Sequence, residues 1–426
     1  MTNKSIVHLD LDTFFVSCER LLHKELIGVP VLIGGTSDRG VVAACSYEAR
    51  AYGIHSAMPM RMARQLCPHA KVIRGNSQAY SEFSNQITEI IRARSPLFEK
   101  SSIDEFYIDV TGMDRYVQTT YLWAKELREK IIHDTKLPIS FGLSTSKTVA
   151  KVGTGEAKPN NHIQITTGQE KPFLAPLSIK KIPMVGNKTY HLLRQMGIER
   201  VRTVQEMPLE LMERVLGKNG IAIWKKAQGI DNSPVVAWSE RKSISTERTF
   251  DQDTTDVYKL KSILLAMAES LAYQLRNSNK LTSCVSVKVR YADFQTHTKQ
   301  KHIPYTSLDH TLIETVKDLF EKVYNRRVLV RLIGVRFSNL VGGSYQIRLF
   351  EDSFKMIKLY QAMDKLRGRY GEDAVKRAQG MKARHIKQMN PFNGQMEGAI
   401  IPPTPKLEIR PELKTHNELK IPSYEF

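Results

Sequence analysis

The chain has 426 residues and carries 63 Lys and Arg against 44 Asp and Glu, a formal net charge of +19 at pH 7. That length exceeds what one hydrophobic core supports, so several domains are expected, and the basic excess points to a polyanionic partner, nucleic acid first and an anionic membrane surface second. No run of about 18 apolar residues occurs, which excludes a membrane-spanning helix, and Cys18, Cys45, Cys67 and Cys284 are too scattered for a zinc site or a disulfide framework and fit a reducing cytosol.

The N-terminus reaches Asp10 too soon for a signal peptide and leads straight into a strand over 5–12. A helix over 13–26 follows, with Phe14, Phe15, Cys18, Leu21 and Leu22 on one side. Segments 30–35 and 40–45 read as short buried strands, 46–66 as a helix rich in Arg, Ala and Met, and 78–94 as a long amphipathic helix. A strand over 102–110, a helix over 116–134, a strand over 138–145 and a helix over 147–155 complete the series. Such interleaving suggests an α/β-type sheet with helices packed on it.

The character changes after about residue 174. Segment 179–188 reads as a short helix, a glycine turn and a second helix start, and 189–227 as mostly helical. Residues 239–248 are polar and basic and read as a linker. A helix over 257–277, a strand over 283–291, a helix over 309–324 and a strand over 329–338 form one further compact unit. Segment 354–379 keeps helical spacing, and beyond 381 the prolines and scattered charge read as a disordered tail.

Three carboxylates carry the chemistry. Asp10 lies in Ile6-Val7-His8-Leu9-Asp10-Leu11-Asp12, and Asp104 and Glu105 lie in Ser102-Ile103-Asp104-Glu105-Phe106-Tyr107. Carboxylates on buried strands are unfavourable unless a cation neutralises them. Presented at one end of adjacent strands, they would hold hard divalent ions such as Mg²⁺ through oxygen. Two such ions activate a hydroxyl nucleophile and stabilise a departing phosphate. The plainer reading is surface charge at strand ends.

Other residues fit the same chemistry. Backbone N–H groups where Asp10-Leu11-Asp12 runs into Thr13-Phe14-Phe15 can hold phosphate oxygens, and Phe15 lies where it could exclude a ribose 2′-hydroxyl, or simply belong to the core. Tyr47 and Arg50, three apart on one helix face, and Lys158 in Ala157-Lys158-Pro159-Asn160 are the donors a triphosphate needs. Ile182-Pro183-Met184-Val185-Gly186 resembles a helix-hairpin-helix, whose glycine turn approaches a DNA phosphate. Arg241, Lys242 and Arg248 suit sequence-independent backbone binding. Gln346-Ile347-Arg348-Leu349-Phe350 could dock in an apolar groove of a partner.

Together these motifs resemble the Y-family DNA polymerases, in order, from about residue 5 to about residue 350. Asp10-Leu11-Asp12-Thr13-Phe14-Phe15 resembles the first catalytic strand and steric gate, and Ala44-Cys45-Ser46-Tyr47-Glu48-Ala49-Arg50 the fingers motif. Ser102-Ile103-Asp104-Glu105 resembles the second catalytic segment, and Ala157-Lys158-Pro159-Asn160 the palm lysine loop. Arg241-Lys242-Ser243-Ile244 resembles the entry to the little finger, and Arg331-Leu332-Ile333-Gly334-Val335 its last strand.

The resemblance implies a right-hand polymerase of mixed α+β and α/β domains. Its parts would be a palm (1–13 and 80–171), short fingers (14–79), a helical helix-hairpin-helix thumb (172–238), a linker (239–248), an α/β little finger (249–350) and a C-terminal helical segment with a tail (351–426). Asp10, Asp104 and Glu105 would ligate two Mg²⁺ ions, with the Leu11 carbonyl completing one site. Tyr47, Arg50, Lys158, Phe14 and Phe15 would contact the incoming deoxynucleotide, with Phe15 as steric gate. Val185, Gly186, Lys188, Arg241, Lys242 and Arg248 would contact primer-template DNA, and Gln346, Leu349 and Phe350 a replicative sliding clamp. The expected enzyme is a monomeric, cytoplasmic, nucleoid-associated, error-prone translesion polymerase without proofreading. Met184 departs from the family's usual glycine.

Two rivals share parts of this pattern. A nucleotidyl cyclase also sets carboxylates on a palm-like sheet but has no use for the basic C-terminal half. An inactive scaffold bridging DNA and a clamp would not need Asp10, Asp104 and Glu105.

Overall fold

The computed structural model describes residues 4–115, 117, 119–326, 328–343 and 353–380. The chain forms two compact units, one ending at Glu240 and one beginning at Arg241.

In the first unit, β1 (Ile6–Leu11) turns through Thr13, whose φ of 43° is left-handed, into α1 (Phe14–Leu22). Three short strands, β2 (Val31–Gly34), β3 (Val42–Cys45) and β4 (Lys71–Ile73), make a small sheet in the order β3-β2-β4. The helix expected over 46–66 is broken. One turn, α2 (Tyr47–Arg50), is followed by Gly53 at φ 80° and by Pro59, which caps α3 (Met60–Leu66). A left-handed glycine and a proline that cannot donate a hydrogen bond stop a helix that composition alone would continue.

The main sheet runs β5-β6-β1-β7-β8, built from β5 (Leu97–Lys100), β6 (Glu105–Asp109), β7 (Ile139–Ser144) and β8 (His162–Gln164) around β1. Its pairings are antiparallel except β7 with β8. Helices α4 (Ser77–Arg94) and α5 (Thr120–Thr135) cover one face, where Ile87, Ile91, Leu127 and Ile131 pack with Val7, Leu9 and Leu11. The other face receives α6 (Lys147–Ala157). Beyond it, α7 (Glu170–Leu174), α8 (Asn187–Gln195), α9 (Val201–Glu206), α10 (Leu209–Leu216) and α11 (Lys218–Ala227) close around Leu193, Val204, Met212 and Ile223.

The second unit is a four-stranded antiparallel sheet in the order β11-β10-β12-β9, comprising β9 (Ser243–Thr254), β10 (Lys280–Tyr291), β11 (Thr296–Thr306) and β12 (Val330–Gly342). Helices α12 (Val257–Asn277) and α13 (Asp309–Val323) bury its apolar face through Leu264, Leu271, Leu312, Phe320, Val287 and Ile333. The expected linker over 239–248 is a linker only in part. From Ser243 it is β9, paired residue by residue with β12, because Ile244, Thr246 and Arg248 alternate with Ser243, Ser245 and Glu247 at the period of a strand. Finally α14 (Ser353–Tyr370) packs Ile357 and Tyr360 against Leu308.

Candidate active site

The site grows from the central strand. Val7, Leu9 and Leu11 point into the core, so Ile6, His8 and Asp10 point the other way, toward α6. Gly142 lies opposite His8 on β7. A Cβ there would sit 2.3 Å from the Ala150 carbonyl oxygen, so a side-chain-free position is what lets α6 lie close.

Antiparallel register does the rest. Asp10 at the end of β1 pairs with Glu105 at the start of β6, and the Leu11 N–H donates to the Asp104 carbonyl at 3.1 Å. The strand expected over 102–110 begins only at Glu105. The Ser102 hydroxyl accepts the Glu105 N–H at 3.1 Å and donates to the Asp104 carboxylate at 2.6 Å, taking the backbone out of the ladder. Three carboxylates thereby share one sheet end.

Two of the three acids have an ammonium of their own. Lys158 Nζ donates to Asp10 Oδ1 at 2.5 Å and stands 3.6 Å from Asp12 Oδ1. Lys151 Nζ donates to both Glu105 oxygens, at 2.6 and 2.5 Å. Behind them His8 is buried, with Nε2 3.9 Å from Glu105 and Nδ1 2.8 Å from the Thr154 hydroxyl. Burial pushes the Asp10 carboxyl up to about 7 against the pull of Lys158. Burial also raises Asp104. Burial acts the same way on Glu105, but His8 and Lys151 outweigh it and bring that carboxyl down to about 2. Burial lowers His8 to about 4, so it stands neutral.

Among the described residues no trio of His, Cys, Asp and Glu stands as a ready-made metal cage, and lysines engage Asp10 and Glu105. The donor chemistry nonetheless suits a hard divalent ion. Asp10, Asp104 and Glu105 offer only oxygen, and two of them are destabilised as anions by burial, which a bound cation would relieve. Leu11 buries its side chain, so its backbone is all it can offer.

Asp12 is different. It is 1 % exposed, accepts the Ser140 hydroxyl at 2.8 Å and the Asn160 N–H at 2.6 Å, and thereby fixes the loop that carries Lys158. The Tyr47 hydroxyl is buried with no hydrogen-bond partner among the described residues, and burial followed by the nearby Asp12 raises its pKa. A buried donor without an acceptor is what a ligand oxygen would satisfy. Arg50 lies over the Tyr47 ring at 4.9 Å. Phe15 is half-buried and stacked on Tyr80 at 4.5 Å between ring centres. Phe14 is core, so only its backbone N–H could meet a nucleotide.

The remaining expected residues lie elsewhere. Met184 is exposed with φ 81°, Val185 is buried, Gly186 caps α8, and Lys188 is exposed in the first turn of α8. This hairpin and α6 line a cavity of about 510 Å³ that includes Lys151, Lys180 and Lys181. Arg241 and Lys242 precede β9 in the second unit. Arg248, expected in a linker, is half-buried in β9 on the strand face that carries Ile244. Gln346, Leu349 and Phe350 lie outside the described residues. Sequence reasoning missed His8, Ser102, Lys151 and Thr154. Lys147 and Lys151, four apart on α6, meet Glu99 and Glu105, which are far away in the chain.

Comparison with known proteins identifies the family. The family model described as impB/mucB/samB family matches residues 9–155, its C-terminal domain matches 241–349, and a model described as DNA polymerase-iota, thumb domain, matches 180–231. A DNA polymerase IV of Dehalococcoides mccartyi is 38% identical over 378 residues, covering 88% of this chain and 97% of the relative. A DNA polymerase IV of Treponema denticola is 32% identical over 386 residues, 89% of this chain and 98% of the relative. Among solved structures, a Y-family DNA polymerase chimera of Dbh and Dpo4 aligns with a TM-score of 0.69 at 25% identity, covering 80% of this chain and 100% of its own. The DinB structure from Sulfolobus solfataricus aligns with a TM-score of 0.55 at 26% identity over the same shares. The chain belongs to the impB/mucB/samB family of Y-family DNA polymerases.

Proposed function

We propose that this chain is a translesion DNA polymerase that adds deoxynucleotides to a primer 3′-end. The observation that carries the reading is the Asp10–Glu105 pairing, with Asp104 adjacent, at the end of the central strands. Asp10, Asp104 and Glu105 are the residues that would hold two Mg²⁺ ions, with the Leu11 carbonyl as a further ligand. Such ions, when bound, lower the pKa of the attacking hydroxyl and neutralise charge on the leaving pyrophosphate.

The chain's own residues supply the rest. Tyr47, Arg50 and Lys158 orient the triphosphate, and the N–H groups of the Thr13–Phe15 turn add donors. For Lys158 this requires leaving Asp10, which a bound cation would then neutralise. Phe15, braced by Tyr80, stands against the sugar. Residues 1–13 and 80–171 act as palm, 14–79 as fingers, 172–238 as thumb and 249–350 as little finger. Val185, Gly186, Lys188, Arg241, Lys242 and Arg248 hold primer-template DNA. The small fingers sheet leaves little binding energy for rejecting a wrong or damaged template base, so fidelity is low. Gln346, Leu349 and Phe350 tether the enzyme, a cytoplasmic monomer at the nucleoid, to a sliding clamp.

The test is primer extension with Mg²⁺ and deoxynucleotides on undamaged and abasic templates, beside Asp104→Ala. Short products that pass the lesion and vanish in Asp104→Ala support the reading. Tight DNA binding without extension by the wild type would leave the scaffold in its place.

A further inference from the structure

Lys151 joins two places that the proposed function treats separately. It sits on α6 with its ammonium on both Glu105 oxygens, at 2.6 and 2.5 Å, and its side chain is 35% exposed. It also lines the cavity of about 510 Å³ beneath the hairpin, together with Lys180, Lys181 and Met184. Lys181 is engaged with Glu156 at 2.8 Å, and Lys180 lies over the Tyr190 ring at 5.6 Å.

An ammonium at this distance from a carboxylate fills the place a metal ion would take. A divalent ion bound to Glu105 and an ammonium on both of its oxygens compete for the same lone pairs and repel each other. When one arrives, the other must move. Lysine can do so, because its charge rides on a flexible four-carbon stem. The cavity it already lines is basic, so what would receive it there is an anion. A backbone phosphate suits an ammonium as a point-charge partner.

Resting on the polymerase reading, we propose that Lys151 is a transferable counter-ion: it neutralises Glu105 in the DNA-free enzyme and moves onto a DNA backbone phosphate when a divalent ion takes Glu105. Metal and DNA then bind with positive coupling, because each favours the same lysine position, and the coupling is reciprocal. Lys151 is thus a positioning residue whose contribution appears only when both ligands are present. A merely structural lysine would shift binding equally with and without the ion.

The experiment measures primer-template affinity of the full chain with and without Ca²⁺, for wild type, Lys151→Met and Lys151→Gln. Wild type is expected to tighten roughly 5- to 20-fold with Ca²⁺, and both variants to lose most of that gain while matching wild type in its absence. The salt dependence in Ca²⁺ should also fall by about one phosphate contact in the variants only. Full tightening retained in either variant overturns the transfer. Equal weakening with and without Ca²⁺, or two variants that fail to fold by circular dichroism, assigns Lys151 a structural role and also overturns it. Failure of the wild type to extend a primer would overturn the polymerase reading itself, whereas extension with unaltered coupling overturns the transfer alone.

Discussion

Asp12 accepts the Asn160 backbone N–H at 2.6 Å, which fastens the end of the first strand to the loop carrying Lys158. The same carboxylate oxygen accepts the Ser140 hydroxyl at 2.8 Å. Asp12→Ala strands both donors in the interior. Leaving buried donors unpaired costs about 1–3 kcal/mol each. Urea unfolding should show a loss of about 3 kcal/mol, and steady-state kinetics a higher KM for the deoxynucleotide as Lys158 loosens. Unchanged stability would mean that the Asn160 loop is held by other contacts.

Phe15 rests face to face on Tyr80, whose hydroxyl donates to Glu19 at 2.5 Å. The ring is braced from below and cannot retreat from a sugar. Phe15→Ala should cut discrimination against ribonucleotides roughly 100-fold, the scale of a lost steric contact, with deoxynucleotide incorporation largely kept. Single-nucleotide insertion with matched deoxy- and ribonucleotide pairs measures it, and unaltered selectivity would dismiss the gate.

Met184 holds a left-handed backbone, φ 81°, at the turn where the family resemblance leads one to expect glycine. A non-glycine residue there carries strain of about 1–2 kcal/mol. Met184→Gly removes it but adds freedom to the unfolded chain, which offsets part of the gain. A net stabilisation of up to about 1 kcal/mol is expected, read as a raised urea midpoint. A destabilised variant would show that the Met184 side chain contributes packing despite its exposure.

Asp364 is the anchor of α14. It takes Arg276 Nε at 2.6 Å, while the same guanidinium reaches Asp309 at 2.5 Å, all largely buried. Breaking a buried pair from one side costs about 3–5 kcal/mol. Asp364→Ala should abolish hydrogen-exchange protection in 353–370 while the four-stranded sheet keeps its own. Protection retained in α14 would assign the docking to Ile357 and Tyr360.

Much of this was legible in the residues. Strands and helices longer than about five residues with a clear apolar period were readable, α12 at its observed limits. Strands of three or four residues, such as β4, β5 and β8, carry too little pattern. β11 was missed for another reason: Thr296 to Thr306 lines an open edge, so it shows no alternation to detect. The carboxylates were legible because acids in apolar strands are conspicuous. Their lysine partner on α6 was not, because Lys151 meets Glu105 only through the close approach that Gly142 permits. The segment around Asp364 had no readable role, since its partner Arg276 lies 88 positions away in the chain.

The rim of the second sheet has a colloidal consequence. Among the described residues β11 is an outer strand of its sheet, the kind of edge on which another copy could stack. Its exposed residues include His297, Lys299, Lys301 and His302, and Pro304 removes one donor. A second molecule approaching this edge would bring the same charges against them. The strand that looked least like a strand thus carries lysines that disfavour edge-to-edge pairing of two copies.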